Sequence, residues 1–222
     1  MKLFAVALAT GALLMPSCSK PPRLPDYSRE DSLAITRDNL AHRGSVDEFF
    51  RNDDGSPFKR DSTIHYNGIQ WYPIDVRFRA TSLLHRYATP ETVVVMGTRG
   101  EQRRNLKYGY FEFVLPDEQG EARLCRLNVY KFTPYDGQRY LLYRDNLSVW
   151  FTDRTTGNET YDVGRYVDVG IEFRDSEHLY LIDLNQAYNP YCAYSSLYSC
   201  AVPRQEDHLD IAVRAGERKY HD

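Results

Sequence analysis

After Pro57 the chain passes from helical periodicity to alternation, and this change constrains its fold more than any other feature. Val76, Phe78, Ala80, Ser82 and Leu84 fall on one face of an extended segment, with Arg77, Arg79 and Thr81 on the other. A period of two is that of a strand half-buried in a sheet. Thr92 to Met96 is a continuous apolar run closed by the turn Gly97-Thr98-Arg99-Gly100. Leu106, Tyr108 and Tyr110, then Phe111, Phe113 and Leu115, predict one long strand that changes face through a bulge at Gly109. Turns at Asp117-Glu118-Gln119-Gly120 and Pro134-Tyr135-Asp136-Gly137 lead into predicted strands over 122–131 and 140–143. Others follow over 148–151, 165–173, 178–184 and 209–215. Strands at this spacing, with no helical run after Pro57, predict a mainly β fold, an antiparallel barrel or sandwich.

One or two N-terminal α-helices are expected to cover an edge or end of it. Ser28 caps a predicted helix through Arg43, Glu30 and Asp31 suit its positive end, and Gly44 stops it. Ser45-x-x-Glu48 then reads as a capping box opening a second helix anchored by Phe49 and Phe50. His42 would complement the first helix's C-terminal dipole.

Upstream, Met1-Lys2 precedes an apolar run from Leu3 to Met15 that is too short to cross a bilayer and ends in small residues, the grammar of a secretory signal. The segment Leu14-Met15-Pro16-Ser17-Cys18 places a small residue before a cysteine, as a bacterial lipoprotein signal does. Export to the cell envelope and lipidation of Cys18 are the expectations, with an ordinary signal and an incidental cysteine as the alternative. Pro21, Pro22 and Pro25 make residues 18–27 a tether. The expected organisation is a signal over 1–17, the tether, and one β-rich domain over 28–222.

Charge argues against a nucleic-acid partner: the formal net charge is −3, and the basic run Arg99 to Arg104 is short enough to decorate a hairpin end. The 18 tyrosines are unusual, because phenol rings can line a core or a polar groove.

Two motifs carry a family resemblance. The first is Phe151-x-Asp153-x-Thr155-x-Gly157-x-Glu159-Thr160-Tyr161-x-x-Gly164-Arg165-Tyr166-x-Asp168. The second is Asn185-x-Ala187-Tyr188-Asn189-Pro190-x-Cys192-Ala193-Tyr194, continued by Cys200, Pro203, Glu206 and Ala215-Gly216-Glu217. The chain resembles the domain of unknown function 1684 family, sharply from Trp150 onward and more loosely from Ser28 through Tyr143. That family implies no activity and no catalytic residues. Other residues more often stand at the place of His208, so a role for this histidine would be particular to this chain.

No motif of known mechanism is present, so chemistry must be sought in three constellations. Cys192 and Cys200 are eight residues apart, outside the short spacings of zinc sites, and export would place them where disulfides persist. A disulfide there would stabilise by roughly 2–3 kcal/mol. The alternatives are two free thiols with Cys192 as a nucleophile, or a metal held with His208. Cys125, among alternating apolar residues, reads as a buried inert thiol.

Thr155, Glu159, Tyr161 and Arg165 form a shaped loop around Gly157 and Gly164. Glu159 and Arg165 read either as an ion pair fixing that loop, or as a base and an anion fork. Asp183, Asn185, Tyr188 and Asn189 either satisfy the backbone of a long loop or form a polar wall.

The leading expectation is a pocket lined by Thr155, Glu159, Tyr161, Arg165, Asn185, Tyr188 and Asn189 that binds a small polar ligand, a carboxylate or sugar. The alternatives are a hydrolase or thiol-dependent enzyme using Glu159 or Cys192, and a purely structural domain. No cofactor and no metal are expected.

Overall fold

The computed structural model describes residues 21–221, so Cys18 and the signal-like segment lie outside the described residues. Residues 21–28 have no regular structure, and Tyr27 ties the end of that stretch to the body by donating its hydroxyl to Arg79 O at 2.9 Å.

Helix α1 spans Arg29–Asn52, with the Ser28 side chain accepting from the Asp31 amide at 3.0 Å as its cap. It runs straight through Gly44, where the sequence predicts a stop. A mid-helix glycine costs about 1 kcal/mol, less than packing of the helix end returns. Phe50, one turn from the end, packs on Phe58, Tyr66 and Tyr194. Ser45 therefore caps nothing and donates instead to Ala41 O at 3.1 Å, and His42 sits mid-helix, away from any C-terminal dipole. A short helix α2, Pro57–Arg60, follows, capped by Ser56.

Two antiparallel sheets make the rest. Strand β1, Arg79–Leu83, pairs with β7, Leu179–Asp183. The larger sheet runs in the order β2 (His85–Met96), β3 (Gln102–Pro116), β4 (Ala122–Phe132), β5 (Asn146–Asp153) and β6 (Arg165–Ile171). A two-residue strand β8, His208–Leu209, lies parallel to β5. The sheets do not close into a barrel; β1 packs across β3, linked by the Glu112 amide donating to Ser82 Oγ at 3.0 Å, in a sandwich-like arrangement.

The alternation read from the sequence sets the packing. Phe78, Ala80, Ser82 and Leu84 are buried, and so are Phe111, Phe113 and Leu115 on the other side of a register shift between Lys107 and Gly109. The core that results includes Leu127, Val149, Phe151, Ile182 and Leu184.

Two segments depart from the predicted strands. Residues 137–143 form a third helix, α3 (Gly137–Tyr143), because Asp136 caps it and pairs with Arg139 at 2.7 Å. Beyond Leu209 the chain buries Ile211, Ala212, Val213 and Ala215 yet is not a strand, and the Val213 and Ala215 carbonyls find a side chain in place of a ladder.

Candidate functional site

That side chain is Arg165. It stands at the start of β6, is 1% exposed, and donates to the carbonyl oxygens of Val213 (2.7 Å), Ala215 and Glu217 (3.1 Å). Its charge is met by Asp153 Oδ2 at 2.7 Å, itself at the end of β5. The other oxygen of Asp153 accepts from the amide and hydroxyl of Thr155, and Thr155 in turn meets the Thr160 hydroxyl at 2.9 Å. Gly164 makes the approach possible: its φ is +115°, and a Cβ there would lie 2.5 Å from Phe151 O.

The predicted Glu159–Arg165 pair is not formed. Glu159 pairs with Arg214 at 2.8 Å on the surface and accepts from the Tyr72 hydroxyl at 3.0 Å. The Arg214 guanidinium, aided by Tyr72, holds the Glu159 carboxyl below the usual carboxylate range despite opposing desolvation. A carboxylate so held is a poor general base near neutrality.

The 183–200 stretch is locked by the same logic. Asp183, at the end of β7, accepts from Asn39 of α1 at 3.0 Å, from the Asn185 amide and side chain at 3.0 and 2.9 Å, and pairs with Arg79 at 3.4 Å. Asn185, with no exposed surface, grips Asp75 through both its amide and carbonyl, each at 2.9 Å. Asn189 donates to Arg218 O at 2.8 Å, and its backbone amide donates to Glu217 Oε2 at 2.8 Å. Tyr194 also donates to Glu217. Burial pushes the Glu217 carboxyl up to about 7, against the pull of these donors and of Arg165. Tyr188 pairs its backbone with Tyr166 of β6 and donates its hydroxyl to Asp168 at 3.1 Å.

The two motifs meet where Arg165 donates to the Ala215 and Glu217 carbonyls and where Tyr188 pairs its backbone with Tyr166. Thr155, Arg165, Asn185 and Asn189 are each at most 1% exposed and are engaged internally. Glu159, Tyr161 and Tyr188 remain half-buried at the rim.

At that rim lie Cys192 and Cys200, both half-buried and present as free thiols. Cys192 sits in the single 3-10 turn Tyr191–Ala193, which follows Pro190. Cys200 is pinned to the turn between β2 and β3: the Thr98 amide donates to Cys200 O at 2.9 Å, and the Cys200 amide donates to Thr98 Oγ1 at 3.2 Å. The Cys192 amide donates to Cys200 Sγ at 3.2 Å, which brings the two residues together. Tyr161 reaches Cys192 O at 3.3 Å and Cys192 Sγ at 3.6 Å. The neighbouring Cys200 thiol, then Tyr161 and Thr98, hold the Cys192 thiol below the ordinary thiol range against desolvation. Cys200, holding the shared proton, is pushed up. His208 is elsewhere, its Nδ1 3.0 Å from the Thr152 hydroxyl. Among the described residues no three His, Cys, Asp or Glu side chains gather as a metal site. Cys125 is buried in β4, its thiol pushed up to about 11 by burial.

Sequence reasoning passed over Asp153, Glu217 and Thr98. Asp153 and Glu217 both stand inside the motifs quoted, and an acid in the apolar run Val149–Phe151 and beyond is a signal for a buried partner. Nothing in the sequence marks Thr98, which reaches Cys200 only through the fold.

Among curated proteins, none matches this chain. The solution NMR structure of an uncharacterized protein of Haloarcula marismortui is similar, at 30% identity and a TM-score of 0.58, over 86% of this chain and 97% of that one. The family model for "Protein of unknown function (DUF1684)" matches residues 64–218, which hold both motifs, the buried Arg165 network and the thiol pair, and the chain belongs to that family.

Proposed function

We propose that this chain is an exported domain, tethered to a membrane surface through lipidated Cys18, whose working site is the thiol pair Cys192 and Cys200, where a small polar ligand is engaged through sulfur. The observation that carries the reading is the meeting of separate segments at the thiol pair: the Tyr161 hydroxyl donates toward Cys192 Sγ at 3.6 Å, the Cys192 amide donates to Cys200 Sγ at 3.2 Å, and Thr98 holds the Cys200 backbone. A donor on the Cys192 sulfur favours its thiolate, the form that reacts. The buried Arg165, Asn185 and Asn189 network then serves as the frame that fixes both thiols, and Tyr161 and Tyr188 offer polar rings at the rim. Export fits a thiol pair, because oxidising compartments supply its partners.

A purely structural role for the 183–217 segment is the second reading, favoured by the internal satisfaction of Thr155 and Asn185. The two readings share the frame and part at Cys192. Protein isolated from its own envelope, reduced, briefly alkylated at neutral pH and digested separates them by mass. The thiol reading expects a lipid mass on the Cys18 peptide and alkylation of Cys192 at least tenfold faster than of Cys125. Equal rates leave the structural reading, and an unmodified Cys18 removes the tether.

A further inference from the structure

The two thiols are neighbours, with the Cys192 amide 3.2 Å from Cys200 Sγ, but they are not equivalent. Cys192 Sγ receives the Tyr161 hydroxyl at 3.6 Å, which also reaches the Cys192 carbonyl at 3.3 Å. Cys200 receives the Cys192 amide, with its backbone held on the β2–β3 turn by Thr98. Ser199 strengthens that hold: its hydroxyl donates to Glu101 and its carbonyl accepts from Arg103 at 2.8 Å. One sulfur therefore carries a phenol donor that favours its thiolate, and the other stands beside it on a fixed support. Such an unequal pair suits two successive displacements at sulfur.

We propose that Cys192 and Cys200 form a reversible dithiol–disulfide couple that exchanges with low-molecular-weight disulfides, Cys192 attacking and Cys200 resolving; this rests on the thiol pair being the working site. In the first step the Cys192 thiolate attacks one sulfur of the disulfide RSSR. The Cys192–S bond to that sulfur forms, the S–S bond of RSSR breaks, and RS⁻ departs. In the second step Cys200 gives its proton to the departed RS⁻ and attacks the Cys192 sulfur. The Cys192–Cys200 bond forms, a second RS⁻ leaves and takes a proton from water, replacing the one Cys192 had lost at the start. Over the cycle the protein dithiol is oxidised by two electrons and RSSR is reduced to two RSH. Because both sulfurs are half-buried and Tyr161 crowds Cys192, a small disulfide fits the approach better than one fixed in a folded protein.

The test uses the full chain, reduced and freed of reductant, with oxidised glutathione as the probe, followed by acid quench, digestion and mass mapping. Wild type is expected to yield the linked Cys192–Cys200 peptide, no retained glutathione, and two equivalents of released thiol. C200A is expected to retain one glutathione on Cys192. C192A is expected to retain it on Cys200 at least tenfold more slowly. C200S is the second form of the resolving variant, used where C200A does not melt cooperatively. Iodoacetamide labelling of the same samples separates the two claims. Fast labelling of Cys192 with no glutathione exchange overturns the disulfide couple and leaves the thiol site standing. Slow labelling and no exchange, with both variants folded, overturns both. Faster retention in C192A than in C200A reverses the assigned roles and also overturns the proposal.

Discussion

Arg165 and Asp153 meet at 2.7 Å with both side chains shut away from solvent, and the two terminal nitrogens of Arg165 also hold the carbonyls of Val213, Ala215 and Glu217. The guanidinium thereby does for residues 210–217 what a neighbouring strand would do, and it joins β5, β6 and the C-terminal segment at one point.

Breaking that pair from either side leaves an uncompensated buried charge, which typically costs 3–5 kcal/mol. Arg165→Ala and Asp153→Ala are each expected to destabilise in that range by urea denaturation, and the double variant by clearly less than the sum. Additive losses would show that the two residues do not act as a unit.

Glu217 gives the fold a pH signature. Its carboxyl ordinarily titrates near 4.5, and in the fold it does so near 7. Between those values the folded chain holds a proton that the unfolded chain has released, so this contribution is complete below about pH 4.5 and is lost as pH rises through 7. At 1.4 kcal/mol per pKa step the loss is on the order of 3 kcal/mol. Glu217→Gln keeps an acceptor without a charge, so its stability relative to wild type is expected to rise from pH 5 to pH 8. A constant difference across that range contradicts the assignment.

Glu159 is the contrasting case. Its partner Arg214 is half exposed, and such pairs contribute about 0–1 kcal/mol. Glu159→Gln is expected to lower stability by less than 1 kcal/mol and to leave Cys192 labelling unchanged. A loss comparable to that of Arg165→Ala would place Glu159 in the frame after all.

Gly164 lets the chain enter β6 where Arg165 must begin. With φ at +115° and Phe151 O where a Cβ would stand, Gly164→Ala is expected to cost about 1–3 kcal/mol. A melting temperature equal to wild type would show that the loop relaxes freely.

Much of this architecture is legible in the residues. The alternation over Phe78 to Leu84, the face change at Gly109 and the Ser28 cap are local signals, and the structure follows them. Where tertiary packing overrides local preference, the sequence misleads. Gly44 reads as a stop, but the Phe50 cluster carries the helix past it. Residues 209–215 alternate like a strand, but their carbonyls are taken by Arg165, which no period can announce. The site follows the same rule. Composition locates Cys192, Asn185 and Arg165, but their roles depend on partners far along the chain: Asp75 for Asn185, Asp153 for Arg165, Thr98 for Cys200. Polar residues that look like a binding wall are therefore found holding a loop in place.

The most direct measurement on the thiol site is the rate of Cys192 alkylation by iodoacetamide as a function of pH, followed by mass at that peptide. The groups facing the pair are Tyr161 and Thr98 at Cys192, and Arg103 and Tyr166 near Cys200. The expected profile rises with a midpoint well below that of an ordinary thiol, and C200A moves the midpoint upward because the neighbouring thiol is gone. A midpoint at or above about 8.5, the value of an ordinary thiol, unchanged by C200A, would contradict the account.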